Sequence, residues 1–289
     1  MYVITGATGH SGSVAAQTLL AAGKKVRVLV RDASKAKALA DQGAEVFVGE
    51  LYDEAALTKA LTGAAGVFLL SPPDLVSQDF LNERKKLTDL YARAIQAAKV
   101  PHAVFLSSVG AQHASGTGLI LTTHAGEVAL RGSGVPVTFV RAAYFAENWA
   151  AVLHPAQQDG VLPTFLAANR KIPMVATEDI GKTVARALLD GPRGVRIIEL
   201  SGPTDLSPNE VAETLGRVLG RAVKPVEAPL EAVVPTFTSF GMSGYIAEKF
   251  REMYEGIANG KVAFEGHGAE AVRGTTTLEA TLRALTGKQ

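Results

Sequence analysis

Thr5-Gly6-Ala7-Thr8-Gly9-His10-Ser11-Gly12 is the stretch that decides the fold, because it places three glycines at three-residue spacing near the start of the chain. The preceding Tyr2-Val3-Ile4 is apolar and β-prone, which is typical of a short buried strand. Residues 14–22 have helical composition and end at Gly23, a common residue just past a helix end. A strand, a glycine-rich turn and a helix together predict a dinucleotide-binding loop.

Each glycine of this loop has its own use in holding a dinucleotide. Gly6 permits a tight turn, and Gly9 lets the backbone approach a pyrophosphate without a Cβ clash. Gly12 allows the helix to pack on the strand while its free N–H groups face the phosphates. The spacing differs from the commoner Gly-x-Gly-x-x-Gly, so a purely structural turn is the alternative. The cofactor contacts predicted in the loop are Gly6, Thr8, Gly9, His10, Ser11 and Gly12.

Composition excludes several classes of function. The 289 residues carry a net charge of +1, with 20% charged and 47% hydrophobic residues. Charges of one sign do not cluster, which argues against nucleic acid or a membrane surface as a partner. The chain has no cysteine, so disulfides, thiolate metal sites and a cysteine nucleophile are excluded. A small molecule is therefore the predicted partner, and no metal site is predicted.

Two features bear on location. The first strand begins at Tyr2 and leaves no room for a cleavable signal peptide. No apolar stretch approaches the ~20 residues that a membrane-spanning helix needs. We expect a cytoplasmic protein that makes no membrane contact, and the sequence leaves open whether it forms a homodimer.

Strand and helix patterns alternate through the first half of the chain. Further strands are predicted at residues 25–30, 45–48, 66–70, 103–106 and 137–140, and helices at 34–42, 54–62, 80–98 and 124–131. Sequential strand–helix units imply right-handed crossovers between parallel strands. The predicted class is α/β, a Rossmann doubly wound parallel sheet with a smaller, mainly helical C-terminal lobe.

The alternation of strand and helix patterns ends beyond Asn148. Residues 196–200 are predicted to form another strand, and Ser207 to Glu210 form a capping box that opens a helix. We predict a dinucleotide-binding domain of residues 1–148, to which 179–200 returns, and a substrate-side lobe of residues 149–178 and 201–289.

The end of the second strand selects between NADP and NAD. An acidic side chain there would accept from the ribose 2′-hydroxyl, whereas a basic one would hold a 2′-phosphate. Arg31 comes first, and Lys35 and Lys37 add positive charge nearby. NADP is therefore the predicted cofactor. Asp32 keeps NAD open, because a shift of one residue would place its carboxylate at the ribose.

The glycine spacing together with Thr5 and Thr8 resembles the short-chain dehydrogenase/reductase superfamily, and its atypical NmrA-like branch in particular. Gly49-Glu50-Leu51-Tyr52-Asp53 looks like the segment that borders the adenine in this superfamily. The resemblance implies that Glu50 and Leu51 contact the cofactor, while Asp53 is also suited to cap a helix.

Two positions at the ends of later strands face the same cofactor by topology. Ser71 and Pro72 end the fourth strand, where proline removes ladder donors and exposes backbone. Ser107 and Ser108 end the fifth. We assign Ser71, Pro72 and Ser107 to the cofactor and Ser108 to catalysis.

The catalytic signature of ordinary members of the superfamily is incomplete. Those enzymes carry a serine after the fifth strand and a Tyr-x-x-x-Lys motif on the next helix. The tyrosine donates a proton to the carbonyl oxygen of the substrate. Here Leu119 and Thr123 occupy those two positions. This departure argues against epimerases and ordinary alcohol dehydrogenases. His124 is a candidate proton donor, and a surface or capping residue is the alternative.

The sixth strand runs into Arg141-Ala-Ala-Tyr-Phe-Ala-Glu-Asn-Trp149, which is similar to a segment of NmrA-like quinone and dye reductases. We predict an aromatic wall for a flat substrate, formed by Tyr144, Phe145 and Trp149, with Asn148 orienting it. Tyr144 is also assigned to catalysis and to the cofactor. The alternative for Phe145 and Trp149 is that they are core residues under the lobe.

The predicted function is an NADPH-dependent reductase that passes hydride to a planar, electron-poor acceptor such as a quinone. Hydride addition to a quinone gives a stabilised oxyanion, so binding and orientation supply most of the catalysis without a tyrosine. The alternative is a non-catalytic, NADP-binding redox sensor of the NmrA type.

Overall fold

The computed structural model describes residues 1–287 and contains one large parallel sheet, two small sheets and eleven helices within that range. The strands, in chain order, are β1 (Tyr2–Ile4), β2 (Val26–Val30), β3 (Glu45–Val48), β4 (Gly66–Leu69), β5 (Ala103–Ser108), β6 (Val137–Ala142), β7 (Tyr144–Phe145), β8 (Val161–Thr164), β9 (Ile172–Val175), β10 (Val195–Ser201), β11 (Asp205–Leu206), β12 (Lys224–Glu227) and β13 (Glu270–Arg273).

The helices begin and end at residues that favour such boundaries. Asp53 accepts a hydrogen bond from the N–H of Ala56 at the start of the third helix, as predicted. The capping box of Ser207 and Glu210 is also confirmed. The helices are α1 (His10–Ala21), α2 (Lys37–Asp41), α3 (Glu54–Leu61), α4 (Phe80–Ala97), α5 (Leu121–Gly132), α6 (Leu153–Asp159), α7 (Thr177–Asp190), α8 (Pro208–Leu219), α9 (Val233–Ser239), α10 (Gly244–Ala258) and α11 (Leu278–Thr286).

The large sheet has the predicted doubly wound form. Its strand order is β13-β10-β6-β5-β4-β1-β2-β3, and all the pairs are parallel. Helices α1 and α7 cover one face, over a core that includes Leu19 and Val184. Helices α3, α4 and α5 cover the other face, over a second core that includes Leu57, Leu87 and Leu130. Buried faces on both sides explain why the central strands read as continuous apolar runs.

The strand order reverses at β1, which has β2 on one side and β4 on the other. Open sheets of this kind bind ligands in the crevice outside the carboxyl ends of the strands at such a reversal. The glycine-rich loop follows β1 and Ser71 follows β4, so both lie at this crevice. Ser107 and Ser108 are the last two residues of β5, so they lie at the same edge of the sheet.

The lobe is mainly helical, as predicted, and also contains short strands. Strands β7, β9 and β11 form one small sheet and β8 and β12 another, around a third core that includes Leu162 and Leu215. Strand β13, in a segment assigned to the lobe, instead pairs with β10 at the edge of the large sheet. Because β13 forms a partly exposed edge of the sheet, its sequence Glu-Ala-Val-Arg is polar. The sequence therefore carries no apolar pattern from which a strand could be predicted.

Within residues 1–287, no helix is both long enough and apolar enough to cross a membrane.

Candidate cofactor and acceptor site

The first turn of α1 is open toward the crevice. Gly9 occupies the N-cap with an extended backbone, and no side chain caps the helix. The first turn also lacks an acidic residue. The free N–H groups and the positive end of the helix dipole therefore face the crevice uncompensated, which suits a phosphate.

The three loop glycines differ in what a side chain would meet. Gly6 has a φ of +60°, and a Cβ there would lie 2.5 Å from Cδ2 of Leu70 at the end of β4. A Cβ at Gly12 would overlap the backbone of Gly6. A Cβ at Gly9 would meet only the Gly6 carbonyl oxygen, at an ordinary 3.4 Å. Gly6 and Gly12 are thus needed by the turn itself, whereas the protein's own packing does not require glycine at position 9.

The remaining loop residues divide by exposure. Thr8 and His10 are exposed, whereas Ser11 is buried at the start of α1. The hydroxyl of Thr5 donates a hydrogen bond of 2.9 Å to the carbonyl oxygen of Phe68 in β4. This bond ties the end of β1 to β4 and fixes the floor of the crevice.

The charged residues after β2 separate into paired and unpaired groups. Asp32 accepts hydrogen bonds from the side chain and backbone of Ser34, which with nearby Lys35 lower the pKa of its carboxyl. Lys37 forms an ion pair with Asp41 at 2.9 Å. Among residues 1–287, the exposed side chains of Arg31 and Lys35 make no ion pair within 4 Å and no hydrogen bond. The carboxylate is engaged locally, and two cations remain available at the strand end.

The segment after β3 follows the strand that pairs in parallel with β2, so it lies at the same edge of the sheet. Glu50 is exposed and Leu51 is half-buried. The neighbouring Tyr52 hydroxyl is hydrogen-bonded to Arg84 of α4. The contact joins this segment to the first turns of α4.

Ser71 provides a second sign that the crevice is built for a polar ligand. Its hydroxyl oxygen is buried and has no hydrogen-bond partner in the described part of the chain. Buried polar groups are nearly always paired, so an unpaired hydroxyl at the end of β4 is a candidate ligand contact. Pro72 beside it is half-buried and has no N–H to offer.

Ser107 belongs to a buried charge network. Its hydroxyl donates to Glu127 at 2.6 Å, and Arg141 donates two bonds of 2.8 Å to the same carboxylate. Arg141 also reaches Glu265 at 2.7 Å. Burial alone would raise the pKa of Glu127, but the bonds from Arg141 and Ser107 outweigh it and lower that pKa. The Ser107 hydroxyl is therefore turned toward the protein interior.

Ser108 and His124 meet at the turn after β5. The Ser108 hydroxyl donates to the carbonyl oxygen of Val109 at 3.1 Å. The Ala111 N–H donates to the Ser108 carbonyl at 3.1 Å, and Nδ1 of His124 bonds the Ala111 carbonyl at 2.8 Å. Ser108 and His124 are both half-buried, and His124 on α5 bonds the short segment that follows Ser108.

Tyr144 is the centre of the predicted acceptor wall. Burial raises the pKa of Tyr144 well above its usual range, and the side chains of Tyr254 and Asn148 are the polar neighbours of its hydroxyl. Trp149 packs beside it with ring centroids 6.0 Å apart. Trp149 itself is only 3% exposed and donates its indole N–H to Met174 Sδ.

Trp149 is therefore a core residue, which was the alternative interpretation, and its indole packs against the Tyr144 ring. Phe145 is half-buried and packs against the core under α1 and α7. Asn148 is exposed at the site edge.

Four aromatic residues that the sequence analysis missed extend this wall. The Phe237 ring lies 5.6 Å from Phe165, 4.8 Å from Phe250 and 6.4 Å from Tyr254. All four are half-buried, so their rings remain partly open to solvent. The i, i+4 spacing of Phe250 and Tyr254 on α10 was a signal that they share a helix face. We call these four residues with Tyr144 the aromatic cluster.

Two surface cavities are lined by residues other than the predicted site residues. One of about 340 Å³ lies beside β9, α8 and the start of α11, and one of about 190 Å³ lies beside α7 and β13. The described residues contain no group of three or more histidine or acidic side chains suited to a metal ion.

The sequence model of the NmrA-like family matches residues 2–280. The chain belongs to this family. Its likeness to individual NmrA-like proteins also extends over nearly the whole length. An NAD(P)H azoreductase of Xenophilus azovorans is 28% identical over 256 residues, which cover 88% of this chain and 86% of that protein.

Solved structures of two reductases superpose on this NmrA-like chain. An NADPH-dependent quinone oxidoreductase from Escherichia coli, solved in complex with NADPH, is 27% identical with a TM-score of 0.83, covering 99% of this chain and 100% of that one. A triphenylmethane reductase of Citrobacter sp. is 22% identical with a TM-score of 0.82 and 99% coverage of both chains. The latter likeness concerns the fold alone.

Proposed function

We propose that this protein is an NADPH-dependent reductase that transfers hydride to a planar, electron-poor acceptor such as a quinone. The broader class, an NAD(P)H-dependent oxidoreductase, is supported by the related azoreductase and quinone oxidoreductase. The observation that carries the proposal is the uncapped first turn of α1, with space in front of Gly9.

The residues around the crevice fit the parts of NADPH. The open N-terminus of α1 would hold the pyrophosphate, and the unpaired Arg31 and Lys35 would hold the 2′-phosphate. The backbone N–H and the hydroxyl of Ser34 both bond Oδ1 of Asp32, which holds this carboxylate in a local turn beside the two unpaired cations. The orphaned Ser71 hydroxyl would gain a partner at the end of β4.

When bound, NADPH supplies a hydride, which together with one proton converts a quinone to a hydroquinone and leaves NADP⁺. The chain itself contributes orientation and exclusion of water. The pKa of a tyrosine hydroxyl is ordinarily about 10, and burial raises that of Tyr144 further, so Tyr144 keeps its proton at neutral pH and serves as a hydrogen-bonding group rather than a base. The aromatic cluster offers flat faces for stacking a planar acceptor.

Proton delivery is the lesser task in this proposal. Leu119 stands where ordinary members of the superfamily place their tyrosine, and it cannot donate. A quinone that has accepted hydride carries a stabilised oxyanion, so water suffices as the acid. This preference favours quinones and similar electron-poor acceptors over simple ketones.

The test is NADPH consumption with and without acceptor, using a simple benzoquinone, an azo dye and an aliphatic ketone. We expect quinone-dependent oxidation with one hydroquinone formed for each NADPH, and no measurable reduction of the ketone. Ketone reduction at a comparable rate would contradict the proposed acceptor class.

A further inference from the structure

A strongly exposed apolar surface borders the crevice and has no role in the function proposed so far. Leu75 and Val76 in the loop after β4 are 43% and 67% exposed, and Phe240 in the turn between α9 and α10 is 70% exposed. We call these three residues the apolar rim. Single exposed apolar residues are ordinary, but Leu75 and Val76 are adjacent, and Phe240 lies three residues before Ser243, which is hydrogen-bonded to their loop.

Hydrogen bonds from one serine hold the two segments of the rim together. The Ser243 N–H donates to the Leu75 carbonyl oxygen at 3.0 Å, and its hydroxyl donates to the Ser77 carbonyl oxygen at 2.6 Å. The same hydroxyl oxygen accepts from the Ile246 N–H and so caps α10. The rim is therefore a fixed feature that joins the sheet domain to the lobe.

The rim lacks charge to attract an ionic ligand. Residues 233–247 contain no charged side chain. In the loop after β4, the carboxylate of Asp74 accepts from the Val76 N–H and lies 4.0 Å from the guanidinium of Arg84. A neutral, apolar ligand fits this surface, because its burial removes apolar area from water without stranding a charge.

The rim is continuous with the proposed acceptor site. Phe240 follows Phe237 by three residues, and Phe237 lies in the aromatic cluster through Phe250 and Tyr254. Tyr254 is in turn a polar neighbour of the Tyr144 hydroxyl. On the other side, the loop that carries Leu75 begins at Ser71 in the crevice. A ligand with a planar head at Tyr144 could place an apolar chain along this path to the rim.

We infer that the apolar rim binds a neutral hydrocarbon chain of the acceptor, so that the preferred substrates are quinones bearing an alkyl or isoprenoid side chain. The inference rests on the proposed quinone reductase function and narrows its substrate class. The rim contributes binding of the chain, and the hydride transfer at the head is unaltered.

The test compares 2,3-dimethoxy-5-methyl-1,4-benzoquinones that carry no chain, one isoprene unit or two. In the wild-type protein, we expect kcat/KM to rise about tenfold or more from the chainless quinone to the longest. In Phe240→Ser, most of this ratio should be lost. Val226→Ser, at an equally apolar and 51% exposed position on β12, should keep it. Thermal melts of both variants verify that they fold.

The outcomes separate the inference from the function on which it rests. Reduction of the chainless quinone without any gain from the chain, or an unchanged gain in Phe240→Ser, would overturn the inference and leave the reductase standing. Binding to neutral phospholipid vesicles that depends on Phe240, with no chain preference, would overturn it in favour of a lipid surface. Reduction of none of the quinones by the NADPH-saturated protein would overturn both.

Discussion

The imidazole of His124 donates its Nδ1–H to the carbonyl oxygen of Ala111 at 2.8 Å. A carbonyl oxygen only accepts, so the bond fixes both the orientation of the ring and its tautomer. The neutral ring then presents Nε2 as an acceptor and has no proton left to give. His124 therefore delivers a proton only from its doubly protonated form.

The first prediction concerns Ser108 and His124, two of the three predicted catalytic side chains. We expect His124→Ala and Ser108→Ala each to lower kcat with a quinone by less than about tenfold, because water can protonate the product. His154→Ala, an exposed histidine on α6, should leave kcat unchanged. Steady-state kinetics at saturating NADPH measure the effect. A collapse of turnover in Ser108→Ala with intact NADPH binding would contradict the proposal.

The second prediction separates ligand space from packing in the glycine loop. Gly9→Val should abolish NADPH binding while changing the free energy of unfolding by no more than about 1 kcal/mol, since a Cβ there meets only one atom at ordinary distance. Gly12→Val should destabilise the fold by at least ~2 kcal/mol, because the side chain overlaps the backbone of Gly6. Denaturant unfolding and fluorescence titration measure the two effects. Tight NADPH binding by Gly9→Val would contradict the proposal that the pyrophosphate binds at this loop.

The third prediction concerns the choice of NADPH over NADH. Replacing Arg31 and Lys35 together by alanine should weaken NADPH binding by about 10–100-fold, as expected for lost hydrogen bonds to a charged phosphate, and should change NADH binding less than twofold. Lys37→Ala is the matched control, because this lysine is already paired with Asp41. Equal losses for both cofactors would mean that the two cations act only through general charge.

The fourth prediction concerns acid stability. Burial, helped by the nearby Arg196 guanidinium, lowers the pKa of His102 to about 4 from its usual 6.5, and its Nε2 lies 3.0 Å from the Thr138 hydroxyl. Between pH 6.5 and pH 4 the unfolded chain binds this proton and the folded chain does not, so stability falls as the pH falls through that window.

We therefore expect the wild-type free energy of unfolding to drop by on the order of 2–3 kcal/mol more than that of His102→Asn between pH 6.5 and 4. Denaturant unfolding at a series of pH values measures the two slopes. The comparison uses slopes because the substitution also changes stability at neutral pH. Parallel slopes would show that His102 is not held neutral in the folded protein.

Local patterns predicted most of the sheet. Continuous apolar strands such as residues 66–70, alternating with helices, are typical of parallel sheets buried on both faces, and the structure confirms that arrangement. Strand β13 could not be predicted in this way, since its register against β10 is set by tertiary pairing rather than by its own apolar residues.

The site was predictable where one segment carries it and not where several converge. The glycine loop and the cations after β2 are each local in sequence. The aromatic cluster draws Phe165, Phe237 and Phe250 from three distant elements, so only the folded chain brings them to Tyr144. Likewise, the folded structure and not the sequence shows that Asp32 accepts a hydrogen bond from the Ser34 hydroxyl.

One measurement tests the central claim most directly. The purified protein is saturated with NADPH, as judged by quenching of the fluorescence of Trp149, its single tryptophan, and the loss of cofactor absorbance is followed with and without a panel of simple quinones. We predict oxidation that depends on the quinone and disappears in Gly9→Val. Saturable NADPH binding with no turnover on any quinone would contradict the reductase and favour an NADP-binding sensor.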